Sequence, residues 1–242
     1  MGAHGPRQGA ALGARLNERR DGLYGRRKGK PLSPRRAELM ASLLPRLAVD
    51  TAAPPPPDLA PLFPFAPSRI HVEIGFGGGE HLVAEAARLP DVGFIGVEPF
   101  LNGMAKAVSA IADGALHNVR LFGGEASVLL DWLPPASCDQ VELLYPDPWP
   151  KKRHWKRRFV SPENLARLAR VLKPGGAFRF ASDIPGYVEW TLALVLADPH
   201  FAWTAERATD WTAPFPDWPG TRYEAKAQRE GRRPTYLEFR RA

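Results

Sequence analysis

The chain contains a single cysteine, Cys138, among its 242 residues. An intrachain disulfide is therefore excluded, and this cysteine usage fits a reducing compartment, so we expect a cytoplasmic protein. No apolar run approaches the roughly 18 residues that a membrane span requires. The N-terminus also lacks the apolar segment of a secretory signal. The sequence thus predicts a protein with no membrane partner.

Groups of side chains with metal-ligand spacing are also missing. The six histidines are scattered, and none forms a ligand-spaced pair beside the cysteine. Structural zinc sites combine four Cys and His side chains at short spacings. We therefore expect no metal.

Basic residues are abundant but unevenly distributed. The net charge is +7, and residues 1–36 alone hold ten Lys or Arg against two acids. Further basic clusters lie at residues 151–158 and 222–241. Such a distribution favours a polyanionic partner, a nucleic acid above all. Whether the protein is a monomer or a homodimer stays open.

Composition divides the chain near residue 67. Residues 1–30 are rich in Gly and Arg, which is typical of a mobile arm. A short helix is predicted over residues 35–49, and the seven prolines within residues 53–67 predict a semi-rigid spacer. We therefore expect an N-terminal region, 1–67, and a globular domain, 68–242.

Strand and helix patterns alternate through the globular domain. Strands are predicted at 69–74, 92–97, 119–122, 140–144, 177–181, 201–206 and 235–239. Helices are predicted at 80–89, 101–112, 126–132, 162–172 and 186–196. This order predicts an α/β, Rossmann-like fold with seven strands, mostly parallel, with helices on both faces and an antiparallel strand at one edge.

The first strand leads into the glycine-rich sequence Glu73-Ile-Gly-Phe-Gly-Gly-Gly-Glu80. Gly75 and Gly77 allow the backbone to approach a ligand closely, although a simple tight turn is the alternative. A dinucleotide fingerprint would have Gly in place of Glu80, whose charge would repel a pyrophosphate. The loop therefore favours an adenosine ligand without phosphates.

Three acids lie at or near the ends of the first three strands. Glu98 ends the second strand, 23 residues after Gly75, where a carboxylate can accept from both ribose hydroxyls. Glu125 is placed to contact an adenine amino group, with an interaction with the helix dipole as the alternative. Glu73 can hold the cationic end of a ligand. Acids without a phosphate-binding cation predict S-adenosylmethionine rather than NAD.

The fourth strand ends in Tyr145-Pro-Asp-Pro-Trp-Pro150, which six cations follow within eight residues. Asp147 can accept hydrogen bonds from a base edge, and Trp149 can stack or pack. A solvated basic loop is the alternative. The cations that can neutralise phosphates include Lys151, Arg153, Lys156, Arg157 and Arg158.

Together these motifs resemble the bacterial tRNA (guanine-N7-)-methyltransferases. The similarity runs from about Tyr24 to the C-terminus. It comprises the glycine loop, Gly96-Val-Glu-Pro99, Pro146-Asp-Pro-Trp-Pro-Lys151 with its basic continuation, Ser182-Asp183 and Gly220-Thr-Arg-Tyr-Glu224. The turn joined to the basic run is the most specific of these elements.

The resemblance implies a class I, S-adenosylmethionine-dependent methyltransferase acting on guanine 46 in the variable loop of tRNA. It implies cofactor contacts from Glu73, Gly75, Gly77, Glu98, Glu125 and Asp147. It implies substrate contacts from Lys151, Asp183, Thr221, Arg222, Tyr223 and Glu224. Guanine N7 is unprotonated at neutral pH, so no general base is needed, and Asp147 is expected to act by orienting the reactants.

Other interpretations remain open at this stage. The protein can be a methyltransferase for another RNA site or for a protein, although no Asn-Pro-Pro-Tyr-type amine motif is present. It can be a non-catalytic RNA-binding relative, which the intact glycine loop disfavours, or an NAD oxidoreductase, which Glu80 disfavours. Asp183 can read the guanine edge or cap the helix that starts near Pro185.

Overall fold

The structure is a computed structural model that describes residues 29–242. Most of the predicted basic arm lies outside these residues. The strands are β1 Arg69–Ile74, β2 Val92–Val97, β3 Val119–Phe122, β4 Cys138–Leu144, β5 Leu172–Ser182, β6 Phe201–Trp203 and β7 Thr235–Arg241. The helices are α1 Pro34–Ser42, α2 Leu44–Leu47, α3 Glu80–Arg88, α4 Leu101–Asp113, α5 Ala126–Trp132, α6 Pro162–Val171, α7 Pro185–Leu196, α8 Thr209–Thr212 and α9 Arg222–Arg229. None of these helices within residues 29–242 is long and apolar enough to cross a bilayer.

The strands form one sheet in the order β3-β2-β1-β4-β5-β7-β6. Strands β1 to β5 pair in parallel, and β7 runs antiparallel to β5 and β6. The predicted fold class is confirmed. The antiparallel strand lies one position inside the edge, because the three-residue β6 pairs with its outer side.

The largest difference from the predicted elements is in β5. The strand was predicted over residues 177–181, after a helix that ends at residue 172, but it already begins at Leu172. The register against β4 shifts between Cys138 and Gln140. Such an irregularity accommodates the extra residues, and Gly175 adopts the positive φ of 76° that a glycine permits.

The two faces of the sheet differ in chemistry. Successive strand residues point to opposite faces, and Ile70, Val72 and Ile74 pack into the larger apolar core with α5, α6 and α7. Around β2 and β3 the other face is also apolar and packs against α1 to α4. Along β1, β4, β5 and β7, however, it carries polar side chains. We call this surface the polar face; it comprises His71, Glu73, Gln140, Glu142, Arg179 and Glu238.

Residues 34–63 pack directly on the globular domain. Helix α1 lies against α4, and Arg35 Nη1 donates to Ser109 Oγ at 2.7 Å. Within the proline-rich stretch, Leu59 and Phe63 are buried in the larger core, at 1% and 7% exposure. This corrects the interpretation of that stretch as a spacer, because its apolar side chains contribute to the core. A domain division at residue 67 stays a prediction.

Candidate active site

The glycine loop lies at the carboxyl end of β1, near the centre of the sheet, where open parallel sheets bind ligands. Gly75, Gly77 and Gly79 have φ values of 72°, 60° and 80°, which other residues rarely adopt. Apart from Gly75 and its two chain neighbours, no atom of residues 29–242 lies within 4 Å of the point that a Cβ on Gly75 would occupy. The loop therefore presents bare backbone to an open space.

Glu98 closes this loop from β2. Its side chain is buried, and its Oε2 accepts from the Gly77 N–H at 2.7 Å. Its Oε1 accepts from the Phe100 N–H at 2.9 Å. Burial raises the pKa of Glu98. Because each carboxylate oxygen has a second lone pair, Glu98 can hold the loop and still accept from a ligand hydroxyl.

Glu125 contributes an unusual carboxylate at the end of β3. It occupies the N-cap of α5 without a side-chain capping bond, and its place at the helix N-terminus is also where the helix-dipole alternative puts an acid. Its Oε1 is buried without a hydrogen-bond partner among residues 29–242. An unsatisfied buried carboxylate oxygen is costly. This geometry fits a donor supplied by a ligand, such as the predicted adenine amino group.

Glu73 is already engaged with another side chain. It is buried on the polar face, and its Oε2 lies 2.9 Å from His81 Nδ1, with Glu142 Oε2 at 3.9 Å from the same nitrogen. The three side chains are close enough together to hold a metal ion. Burial lowers the pKa of His81, but the Glu73 carboxylate outweighs it and raises the pKa to about 9. The raised pKa agrees with the short contact between the imidazole and the Glu73 carboxylate.

A constrained turn presents Asp147. Tyr145 and Trp149 have φ values of 49° and 43°, and Asp147 lies between Pro146 and Pro148. Non-glycine residues rarely adopt such φ values, and they cluster at functional sites. The Asp147 side chain is exposed, desolvation by the surrounding turn raises its pKa, and its charge raises the pKa of Glu98. The turn thus places Asp147 beside the glycine loop.

Arg158 is a buried residue that is hydrogen-bonded to this turn. Its Nε donates to the Pro148 carbonyl at 2.9 Å, and its Nη1 donates to the Gly186 carbonyl at 3.0 Å. The residue is only 5% exposed. Its guanidinium lies 4.8 to 5.3 Å from the ring centroids of Trp155, Tyr187 and Trp190. This burial contradicts the predicted phosphate contact, because RNA cannot reach the group.

The other cations of the run lie on the short 3-10 helix Lys152–Arg157 and its flank. Lys151, Arg153 and Lys156 are exposed. Arg157 is half-buried, with its guanidinium 4.9 Å from the ring centroid of Trp149. Phosphate contacts by Lys151, Arg153 and Lys156 therefore stay a prediction. The guanidinium of Arg157 packs on the ring of Trp149 instead.

Asp183 follows β5 and faces Arg232. Its Oδ2 accepts from Arg232 Nε at 2.5 Å. The N-cap of α7 is Ile184, and its N–H donates to Ser182 Oγ at 3.2 Å rather than to Asp183. The capping alternative is thus contradicted. The partner Arg232 was not predicted, since it lies 49 residues away in sequence.

The segment Thr221–Glu224 begins α9 with a capping box. The Glu224 N–H donates to Thr221 Oγ1 at 3.0 Å, and Glu224 Oε2 accepts from the Thr221 N–H at 3.3 Å. Glu224 is 5% exposed and also accepts from Trp218 Nε1 at 2.6 Å and from the Tyr236 hydroxyl. Its side chain therefore positions the segment, which differs from the direct substrate contact predicted for it.

The same segment lies over the glycine loop. Arg222 Nη2 and Tyr223 Cε2 are 3.1 and 3.4 Å from the point that a Cβ on Gly77 would occupy. Arg222 Nη1 also lies 3.6 Å from Glu80 Oε1. The predicted cofactor loop and the predicted substrate segment are thus in direct contact, although almost 150 residues separate them.

Comparison with known proteins shows the family to which the chain is similar. Residues 67–237 match a family model described as "Putative methyltransferase". A protein of Rhizobium meliloti named tRNA (guanine-N(7)-)-methyltransferase is 59% identical, over 95% of this chain and 98% of its own. A protein of the same name from Mesorhizobium japonicum is 58% identical, over 90% and 94% of the two chains.

Solved structures share the fold at low identity. TrmN from Thermus thermophilus superimposes with a TM-score of 0.52 at 16% identity, over 73% of this chain and 45% of that chain. The 16S rRNA methyltransferase KamB gives a TM-score of 0.50 at 17% identity, over 73% and 89%. At these identities the likeness indicates a common class I methyltransferase architecture.

Proposed function

The chain belongs to the family of tRNA (guanine-N(7)-)-methyltransferases, and from this premise we propose that it methylates N7 of guanine 46 in the variable loop of tRNA, with S-adenosylmethionine as methyl donor. One observation carries the proposal. The carboxyl ends of neighbouring parallel strands bring Glu98, Glu125 and Asp147 around one glycine loop, and exposed cations follow Asp147 directly.

The donor set fits S-adenosylmethionine. We assign Glu98 to the ribose hydroxyls, the unpaired Oε1 of Glu125 to the adenine amino group, and the remaining oxygen of Glu73 to the ammonium group. The open space at Gly75 admits a ligand against the backbone. S-adenosylmethionine is cationic and has no phosphate group. The carboxylates in this half of the site therefore suit its charge.

When bound, S-adenosylmethionine supplies a methyl group that is already a strong electrophile. Guanine N7 carries an in-plane lone pair that needs no deprotonation, so the protein has to orient the base rather than activate it. Favourable alignment can contribute up to ~7–11 kcal/mol to lowering the barrier. Asp147 accepts hydrogen bonds from guanine N–H groups in this mechanism, and Asp183 supports the same base edge from β5.

The exposed cations bind the backbone of the RNA in this mechanism. Lys151→Ala or Arg153→Ala is expected to weaken the binding of all tRNAs similarly, because phosphate contacts carry no sequence information. Each substitution should lower the slope of log K against log salt by roughly one. Filter binding across a series of salt concentrations measures this slope. Arg240→Ala is the control, since Arg240 is exposed near the end of β7 that lies away from the Ser182 tip of β5 and therefore from the site. An unchanged slope in the first two variants would contradict these contacts.

Glu125→Ala is expected to weaken cofactor binding without weakening the fold. Loss of a charged hydrogen bond corresponds to about 1.5–3 kcal/mol, or roughly a 10–100-fold higher KM for S-adenosylmethionine. The free energy of unfolding should not fall, because the buried Oε1 has no partner among residues 29–242 to lose. Initial rates and urea denaturation measure the two effects. Glu38→Ala, on the exposed side of α1, serves as the control.

Methyl transfer to paired transcripts tests the function itself. One tRNA carries guanine at position 46 and the other carries adenine there, and aniline cleavage maps any N7-methylguanine. Label and cleavage in the guanine transcript alone are expected. Label in both transcripts without cleavage would move the target to another site, and binding without label would indicate a non-catalytic protein.

A further inference from the structure

His81 joins two parts of the site that come from opposite ends of the domain. It lies in the first turn of α3 and is 3% exposed. Its Nδ1 is hydrogen-bonded to Glu73 Oε2 at 2.9 Å. On the other side its ring packs against Trp218, with 4.6 Å between the ring centroids. One buried imidazole thus contacts both the acid at the end of β1 and the C-terminal segment.

Trp218 extends this connection to the substrate segment. Its Nε1 donates to Glu224 Oε2 at 2.6 Å, and Glu224 closes the capping box with Thr221. The capped turn carries Arg222, whose side chain lies against Gly77 of the cofactor loop. A continuous series of contacts therefore runs from the buried Glu73 to the exposed Arg222 on the predicted substrate segment.

Further charged side chains surround His81 in this series of contacts. The polar face places Glu142 near His81, and Arg179 Nη1 lies 3.8 Å from Glu142 Oε1. Glu85 on α3 adds a further nearby charge. An aromatic ring packed on a buried ion pair loses favourable contacts if the imidazole turns, whereas an aliphatic contact would tolerate the rotation.

We propose that His81 is a positioning residue that couples cofactor binding at Glu73 to tRNA binding at the segment Thr221–Glu224. The inference rests on the proposed function, which assigns the free oxygen of Glu73 to the cofactor ammonium. An ammonium on that oxygen fixes the carboxylate, and the carboxylate fixes the imidazole and with it the Trp218 ring. Coupling between two sites is reciprocal, so each ligand strengthens the binding of the other.

The coupling is measured as the tRNA Kd with and without saturating S-adenosylhomocysteine, which has the same ammonium but cannot transfer a methyl group. We expect the wild-type protein to bind tRNA at least ~5-fold more tightly with this probe, the lower end of usual couplings. In His81→Asn the ratio should fall to about one, because Asn keeps a donor near Glu73 but lacks the ring that Trp218 contacts.

Two further variants complete the experiment. Trp218→Phe keeps a ring on His81 but loses the N–H that Glu224 accepts, so its coupling should also fall. His200→Asn removes an exposed imidazole whose Nδ1 lies 2.8 Å from Asp198, and it should leave the coupling unchanged. Thermal unfolding checks that each variant is folded, and Trp218→Phe supplies the answer if His81→Asn does not fold.

The outcomes separate the two proposals. Full coupling in folded His81→Asn or in Trp218→Phe would overturn the role of His81, and so would a wild-type protein that methylates guanine without any coupling. Failure of the wild-type protein to methylate guanine 46 would overturn the proposed function instead, whatever the ratio of the two Kd values.

Discussion

Asp147→Ala is expected to lower kcat by at least roughly 100-fold, since small misplacements of a reacting group have effects of this size. The fold should be unaffected. The Asp147 side chain is exposed and makes no hydrogen bond within residues 29–242 that the substitution would remove. Single-turnover methyl transfer with saturating tRNA and S-adenosylmethionine measures the effect on the chemical step.

Two further variants test the role of the Asp147 carboxylate. Asp147→Asn keeps the shape of the side chain but not its charge, so it should also be slow if accepting from guanine N–H groups matters. Asp58→Ala is the matched control, because Asp58 is exposed and also follows a proline. A near-normal kcat in Asp147→Ala would contradict the orienting role and leave Asp147 with a structural role in the turn alone.

Arg158→Lys is expected to destabilise the protein and slow methyl transfer together. Lysine keeps the charge, but its single nitrogen cannot replace the separate Nε and Nη1 that donate to the Pro148 and Gly186 carbonyls, and it has no plane to pack against three rings. Loss of one charged hydrogen bond corresponds to about 1.5–3 kcal/mol in the free energy of unfolding. The Asp147 turn then loses its support, and kcat falls with it. Urea denaturation and single-turnover rates measure the two losses.

The same substitution separates a buried anchor from a phosphate contact. A phosphate contact tolerates lysine, so Arg153→Lys at the exposed position should behave like the wild-type protein. The salt dependence of tRNA binding should be unchanged in Arg158→Lys. A stable, active Arg158→Lys protein would contradict the anchoring role.

The positions of the acids on strand tips were predictable from sequence. The patterns at residues 69–74, 92–97 and 119–122 matched β1, β2 and β3 to the residue. Because parallel strands end at one edge of a sheet, Glu98 and Glu125 had to come together around the glycine loop. The turn at Asp147 followed from the same argument, since the next apolar run ends there.

The partners of those residues were not predictable in the same way. A run of cations has no periodicity that separates Arg158, which is buried, from Arg153, which is exposed. The alternation of polar and apolar residues in β1 indicated two faces, but not that His81 and Trp218 would cover Glu73. Leu59 and Phe63 lie among prolines, and the proline content predicted a spacer although both side chains are buried in the core.

The α/β order, the glycine loop, the acids at the strand tips and the basic run follow from local sequence patterns and from the common edge of parallel strands. Three contacts depend on tertiary packing: Arg158 with the Asp147 turn, His81 with Glu73, and the Thr221–Glu224 segment with Gly77. These contacts join residues that are up to almost 150 positions apart. Their pairing depends on how the C-terminal segment packs against the polar face, and no local pattern encodes that packing.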